Sequence, residues 1–558
     1  MDAKSMRKKM DASDSSFFLH DSPRVHSPRP FIRMGKRILK GLVLASVSIV
    51  TIASIFLVFN ATTNHDTNGA DRDIFFTLRE IPLPQLNDTT ISTSKHNLKI
   101  LSDAIKIRTI SYGDDRDSNL TTRQDFGQFI KTSFPLIHNS CIVDLKVIEG
   151  ASLLYEIKGN DTAKKPYLLI SHMDVVPAEN KDKWDKNPFG DNNTTTSDDD
   201  EEEYLYGRGA LDIKSSIIGI LASIETKFSQ NEYWQPRRTI LVFIGHDEEI
   251  GGYGGAKIAA KQLINKNTKL EFILDEGGAA TKHYFPGLDN RIVCLIGVAE
   301  KGFLSIDLES TLDAGHSSMP RENSAIRNLA KAITALADHP LPYHFESDDI
   351  NRQSFEWIAP HMSFVYRVVM SNMWLFKKFV LSQVSKTPET KALARTTTAF
   401  TMMNGGVKEN VLPIHARALV NHRIHPRDNF KTILDWDRNV IKDIDGVNLK
   451  EKTSEWKNAA SPISPYDKDH APFHVIKSGI HTVFPNALVT PYLTVGGTDS
   501  KHFVELTENI YRFVPYILDK ELNDAKRIHG INERINKKDF LNYFIRFYTS
   551  VIELADTY

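Results

Sequence analysis

The chain has 558 residues, 41% hydrophobic and 25% charged, with 69 basic and 70 acidic side chains and a formal net charge of -1 at pH 7. That is ordinary globular composition with room for two or three domains, and it excludes a strongly cationic nucleic-acid binder. Cys141 and Cys294 are the only cysteines, so at most one disulfide forms and the fold must stand on its core.

Residues 1–40 are polar, basic and bear serine and proline, which predicts a disordered cytoplasmic tail. Residues 41–59 carry no charge over 19 positions, long enough for a transmembrane helix. Ten basic residues precede it: Lys4, Arg7, Lys8, Lys9, Arg24, Arg29, Arg33, Lys36, Arg37 and Lys40. Basic flanks stay cytoplasmic, which predicts a single-pass type II protein with its body lumenal. A cleaved signal peptide fits less well, because the apolar run is too long, too far from Met1 and lacks a small-residue cleavage site. Six Asn-x-Ser/Thr sequons begin at Asn60, Asn87, Asn119, Asn160, Asn192 and Asn193, all after the apolar run. They agree with a glycosylated lumenal body. Residues 60–85 read as a polar stalk.

From about residue 86 the pattern becomes α/β. Short apolar runs at 167–170, 239–244 and 270–274 read as buried strands. Between them Ile217, Ile218, Leu221 and Ile224 recur at helical spacing, as do Ile258, Ala259, Leu263 and Ile264. Strand–helix alternation predicts a mostly parallel sheet with helices on its faces, and ligands at the carboxyl ends of the strands. The acidic low-complexity run 191–203 reads as a solvated loop in preference to a calcium site. From Gly302 the style changes. A half-exposed strand near 303–308, a helix at 326–336, strands at 396–403 and 416–424 and a helix at 430–441 predict a smaller α+β domain, with 342–392 as an extra helical excursion. Alternation returns near His470. The expected organisation is therefore tail 1–40, transmembrane helix 41–59, stalk 60–85, first catalytic part 86–300, inserted lid or dimerisation domain 301–462 and second catalytic part 463–558.

Five segments place metal-ligand residue types, four of them at or just after the ends of apolar runs. They are Ser171-His172-Met173-Asp174, Gly207-Arg208-Gly209-Ala210-Leu211-Asp212, His246-Asp247-Glu248-Glu249, Leu274-Asp275-Glu276-Gly277-Gly278 and Arg527-Ile528-His529-Gly530. Two histidines and three carboxylates suit two zinc ions sharing a bridging carboxylate, with a free glutamate to move a water's proton. Spacing lets His172 ligate while Asp174 holds its other ring nitrogen. Three consecutive acids after a strand repel one another unless a cation or solvent relieves them. Taken singly each has a bland reading. His-x-Asp is common, Asp212 suits a helix N-cap, the acids suit a solvated turn, and His529 suits a surface. His502 is the rival for the last ligand.

Ser171 to Pro177, Gly207 to Lys214 and Asp247 to Gly252 together resemble the dinuclear-zinc peptidase and aminoacylase family that includes carboxypeptidase S, aminoacylase-1 and bacterial glutamate carboxypeptidases. The likeness covers about residues 90–555, and the tail and anchor are similar to the vacuolar carboxypeptidase S (Gly-Xaa carboxypeptidase) branch, delivered to the vacuole as a membrane-anchored precursor. The resemblance implies that His172 and Asp275 hold one zinc, Glu249 and His529 the other, and Asp212 bridges them. It implies Glu248 as general base and Asp174 as the group orienting His172. Ala314-Gly315-His316-Ser317-Ser318 matches a lid segment whose histidine helps hold the reacting carbonyl. Asn410 matches a substrate-contacting asparagine, and Arg423 is the candidate for the terminal carboxylate, against an exposed arginine paired to a lid acid. The expected activity is a zinc carboxypeptidase acting on small peptides. The alternatives are an N-acyl-amino-acid hydrolase and a non-catalytic membrane glycoprotein on a hydrolase fold. A homodimer through the lid is the protein partner left open, and nucleic acid is excluded.

Overall fold

The computed structural model describes residues 50–51, 53–62, 88–113, 120–190, 203–453, 457–467 and 470–558. The chain divides into two compact units, 1–60 and 61–558. In the first, residues 50–51 and 53–60 are helical. Most of the expected span 41–59 lies outside the described residues, and among the described residues no helix is long and apolar enough to cross a membrane. The acidic run 191–202, the sequons at Asn87, Asn119, Asn192 and Asn193, and most of the stalk also lie outside them.

The second unit contains seventeen described strands. They are β1 (Val143–Ile148), β2 (Ser152–Ile157), β3 (Tyr167–His172), β4 (Tyr204–Tyr206), β5 (Ile240–Gly245), β6 (Ile273–Lys282), β7 (Val293–Glu300), β8 (Gly302–Thr311), β9 (Gly315–His316), β10 (Thr397–Gly405), β11 (Val411–Leu412), β12 (His415–Ile424), β13 (Val447–Glu451), β14 (Lys457–Asn458), β15 (Leu488–Thr494), β16 (Ile510–Asp519) and β17 (Arg534–Asn536). Eight form one sheet in the order β1-β2-β5-β3-β6-β16-β7-β15. Its centre is parallel, β5 to β3, β3 to β6 and β6 to β16. The sheet as a whole is mixed, which corrects the expectation of a mostly parallel one. A β1–β2 hairpin adds antiparallel pairs at one edge, and β7 runs against β6 and β16 before pairing parallel with β15.

The apolar runs are strands because both faces are covered. Tyr167 and Leu169 enter one core with Ile217, Ile218, Leu221 and Ile224 of the helix Lys214–Gln230. Leu168 and Ile170 point to the other face and meet Ala259 and Leu263 of the helix Ala256–Asn265. The period of two in a strand sends neighbours to opposite layers. Each large aliphatic side chain so buried contributes about 1.5–3 kcal/mol.

A second sheet, β10-β12-β8-β13, lies between β7 and β15 in sequence. Leu304, Ile306 and Leu308 alternate into its core, packed by Leu329 and Leu336 of the helix Ala325–Asp338 and Ile433 of the helix Phe430–Ile441. The expected excursion 342–392 corresponds to four α-helices, Ile350–Ile358, Phe364–Ser371, Met373–Val384 and Pro388–Ala394, the last of which runs two residues beyond it. Cys141 is exposed, Cys294 buried, and both are free.

Candidate metal centre

The candidate residues gather where the parallel strands end. His172 is the last residue of β3, and Glu248–Ile250 is a single 3-10 turn after β5. Asp212 precedes the helix Lys214–Gln230, and its peptide bond to Ile213 is cis. His529 sits in a loop beyond β16 with φ +57°. The turn after β5 closes tightly. A Cβ on Gly252 would lie 2.1 Å from Asp499 Oδ1, so only glycine fits there.

Asp212 stands between the two histidines. Its Oδ1 is 3.1 Å from His172 Nε2 and its Oδ2 is 2.8 Å from His529 Nε2. Glu249 Oε2 is 3.2 Å from His529 Nε2, and Glu248 Oε2 is 4.0 Å from His172 Nε2. One oxygen of Asp212 toward each imidazole is the disposition a bridging carboxylate needs.

The structure corrects one expected ligand. Glu276, not Asp275, faces the centre, with Oε1 3.2 Å from His172 Nε2. Asp275 turns the other way. Its Oδ1 accepts from Glu276 N at 2.9 Å and its Oδ2 from Ser500 N at 2.9 Å. The reason is the pleat. Both lie in β6, so adjacent side chains leave opposite faces, Glu276 with Leu274 and Asp275 with Ile273. Counting acids after an apolar run does not reveal the face. The alternation of β6 does.

Asp174 lies beside the His172 ring and has further partners. His172 Nδ1 is 2.9 Å from the backbone oxygen of Asp174 and 3.4 Å from Oδ1 of its carboxylate. The carboxylate accepts from Ser111 Oγ at 2.7 Å and from the backbone N–H groups of Glu248 and Glu249 at 3.1 Å each. Asp174 therefore fixes the glutamate turn as well as the ring.

Beneath Asp212 lies Glu533, fully buried, which the sequence reading missed. Its Oε1 accepts from the N–H groups of Gly209, Leu211 and Asp212 at 3.0, 2.8 and 3.2 Å. Its Oε2 accepts from Arg208 Nη1 at 2.6 Å, and Arg208 Nη2 donates to the carbonyls of His529 and Gly530. No local signal marks it, since its partners Gly209, Leu211 and Asp212 lie more than 300 residues away along the chain.

The other candidates have different partners. His502 Nε2 pairs with the Gly251 carbonyl at 2.8 Å, and burial pushes its ring down to about 4. His316 is exposed on β9 with Nδ1 2.7 Å from Ser318 Oγ. Asn410 lies beside that segment, its carbonyl accepting from Ser317 N at 3.2 Å. Arg423, on β12, lays its guanidinium over the Phe303 ring at 6.0 Å. His316 and Asn410 are thus brought together beside the β9–β11 pair.

Electrostatics test whether metal ions fit. Burial pushes Glu248 well above the ordinary carboxylate range, raises Glu249, and with Asp212 nearby raises Glu276 to about 8. Bonds to Asp212 and Glu249 raise His529 to about 10. Glu249 Oε1 is buried without a hydrogen-bond partner. So much buried negative charge needs cations, and protons on the histidines compete with metal ions for that part. Two overlapping donor groups result, His172-Glu248-Glu276 and His172-Asp212-Glu249. With His529 the set fits two divalent ions.

Comparison with known proteins agrees. The model of Peptidase family M20/M25/M40 matches residues 168–554. The chain belongs to that family. The N-fatty-acyl-amino acid synthase/hydrolase PM20D1 of Xenopus tropicalis is 37% identical over 83% of this chain and 86% of that one. Probable carboxypeptidase S-like 2 of Dictyostelium discoideum is 36% identical over 87% of each. The M20 metallo-carboxypeptidase Sso-CP2 of Sulfolobus solfataricus shares the fold, with TM-score 0.58, 18% identity and coverage of 83% and 99%. The chain is a metal-dependent hydrolase of peptide or amide bonds, and members of its family hold a pair of metal ions, typically zinc.

Proposed function

We propose that this enzyme hydrolyses the amide that joins an acyl group to an amino acid with a free carboxylate, with long-chain N-acyl amino acids as the substrate class. The observation that carries the reaction is Asp212 standing between His172 and His529, with Glu248 alongside. His172, Asp212 and Glu276 would hold one zinc, and Asp212, Glu249 and His529 the other. When bound, the pair would polarise the amide carbonyl and favour ionisation of water. Glu248 accepts the proton of the attacking water as oxygen bonds to carbon. It then gives that proton to the nitrogen as the C–N bond breaks. Burial raises its affinity for protons above that of an ordinary carboxylate. Asp174 keeps Glu248 aimed by holding its backbone N–H.

The acyl class is supported by the relative from Xenopus tropicalis, which is named for fatty-acyl amino acids. A second reading, release of a C-terminal residue from small peptides, is supported by the Dictyostelium relative. In both the leaving group keeps a carboxylate, for which Arg423 is the proposed partner through bidentate pairing. Comparing kcat/KM for a long-chain N-acyl leucine, a blocked Gly-Leu dipeptide and the C-terminal amides of both tests this. A preference for the acyl compound, with both amides poor, is the expected result. Equal values for acid and amide would remove the free-carboxylate requirement, and a preference for the dipeptide would install the peptidase reading.

The type II topology, with a lumenal, vacuolar body, is proposed on the ten basic residues before Gly41 and the sequons after the apolar run. Asn160 is exposed, as a glycan site must be. Glycosidase treatment of protein from a eukaryotic host is expected to increase its gel mobility. Unchanged mobility would count against a lumenal body.

A further inference from the structure

The helices Phe364–Ser371 and Met373–Val384 meet at Asn372 and bury only one side. Met373 and Val380 fill a small core with Phe345, and Met370 packs against it. The other side exposes Phe364, Val365 and Tyr366 on the first helix and Trp374, Leu375 and Phe379 on the second, with Trp374 at 63% and Phe379 at 55%. Trp374, Leu375, Lys378 and Phe379 follow an i, i+1, i+4, i+5 pattern and so share one stripe. Scattered apolar residues on a surface need no explanation, but six large ones within residues 364–379 do.

Charge points to the occupant. Between Glu356 and Glu389 the chain carries Arg367, Lys377, Lys378 and Lys386 and no acid. Lys377 pairs with Glu346 at 3.3 Å, whereas Lys378 lies exposed within the apolar stripe. Aromatic and aliphatic side chains beside lysines form the pattern of a helix lying in a lipid interface, the stems buried and the ammonium groups at phosphate level. A second copy is a poorer partner, since a two-fold contact sets a patch against itself and brings like charges together.

We propose that this helical pair docks on an anionic phospholipid surface, with Phe364, Trp374, Leu375 and Phe379 in the acyl boundary and Lys378 and Lys386 at the headgroups. The proposal rests on the acyl-substrate reading. Amphiphilic N-acyl amino acids partition into lipid surfaces, so docking delivers the enzyme to its substrate without altering the metal centre.

The test uses the unit 61–558, which carries every hydrophobic cluster described. It is expected to cosediment with phosphatidylcholine–phosphatidylserine vesicles, more weakly with phosphatidylcholine alone and more weakly at high salt. Leu375→Glu with Phe379→Glu is expected to cut partitioning about tenfold or more. The same variant is expected to keep wild-type kcat/KM on a short, water-soluble N-acyl amino acid, which shows that it is folded. Brominated lipid is expected to quench wild-type fluorescence and to spare Trp374→Phe. No vesicle binding by the wild type, or equal binding by the double variant, overturns the proposal. So does a concentration-dependent dimer lost in the variant without vesicle binding, which gives the face to a second copy. Vesicle binding without hydrolysis of monomeric long-chain substrate supports the surface and removes only the substrate reading.

Discussion

Glu248 and Glu249 are adjacent in the chain but have different partners, Glu248 Oε2 near His172 and Glu249 Oε2 near His529. Glu248→Gln is expected to keep its fold and metal while kcat falls roughly 10²–10⁴-fold, because an amide does not accept the water's proton. Glu249→Gln is expected to lose part of its metal. Metal analysis beside kinetics checks the pair, and equal retention would undo the division of roles. Glu276 and Asp275 make the converse case. Glu276→Gln is expected to lower metal content. Asp275→Ala is expected to keep metal but to lose stability, about 1–3 kcal/mol for each buried N–H left without its acceptor. A chelator series and thermal melts separate the two, and metal loss from Asp275→Ala alone would restore the sequence-based ligand. Residue type and order singled out the segments of His172, Asp212 and Glu249, while the choice of His529 over His502 came from the family resemblance; the structure brings all four residues together. The choice within Asp275-Glu276 was not legible in the sequence, because it depends on the face from which β6 presents each side chain.

At the scale of elements, the centre depends on loops held from beneath. Glu533 gathers three backbone N–H groups of the Asp212 loop, and Arg208 ties that loop to the carbonyls of His529 and Gly530. Groups that orient ligands are commonly worth 10–100-fold in metal affinity. Glu533→Ala is therefore expected to weaken zinc retention by about that factor, with Glu533→Gln intermediate, because Gln still offers one acceptor oxygen to the loop. Competition with a chromogenic chelator measures it, and unchanged affinity with lowered thermal stability would confine Glu533 to the fold. Elements with a full period were readable. The helix Phe430–Ile441 falls where the apolar spacing put it, and β3 and β5 start within a residue of their apolar runs. The β1–β2 hairpin was missed because half of β1 is exposed and Asp144 and Lys146 break its apolar run. That hairpin and β7 are what turn a parallel expectation into a mixed sheet. The knot around Glu533 was beyond sequence, since its partners lie more than 300 residues away.

For the whole molecule, the metal pair is also a matter of stability. Without metal, Glu276 is raised to about 8 by burial and by Asp212, and burial raises Glu248 and Glu249 in the same direction. Such a group binds its proton more tightly folded than unfolded. Its contribution is complete below the ordinary carboxylate value near 4.5 and is lost as pH rises toward 8. Metal-free protein should thus lose stability over that window, as the buried carboxylates are forced to ionise together. Two bound cations offset that charge, and their hold strengthens as ligand protons leave. The gap in Tm between zinc-loaded and chelator-treated protein is therefore expected to widen from pH 5 to pH 8, mainly through a fall in the chelated form. Zinc added to apoprotein near pH 7 is expected to release protons, measurable with an indicator dye in weak buffer. Melting curves of the unit 61–558 at several pH values, with and without chelator, decide the matter. A gap that narrows with rising pH would show that the buried acids are not the groups the metals relieve, and would detach the proposed ligand set from the cluster around Asp212.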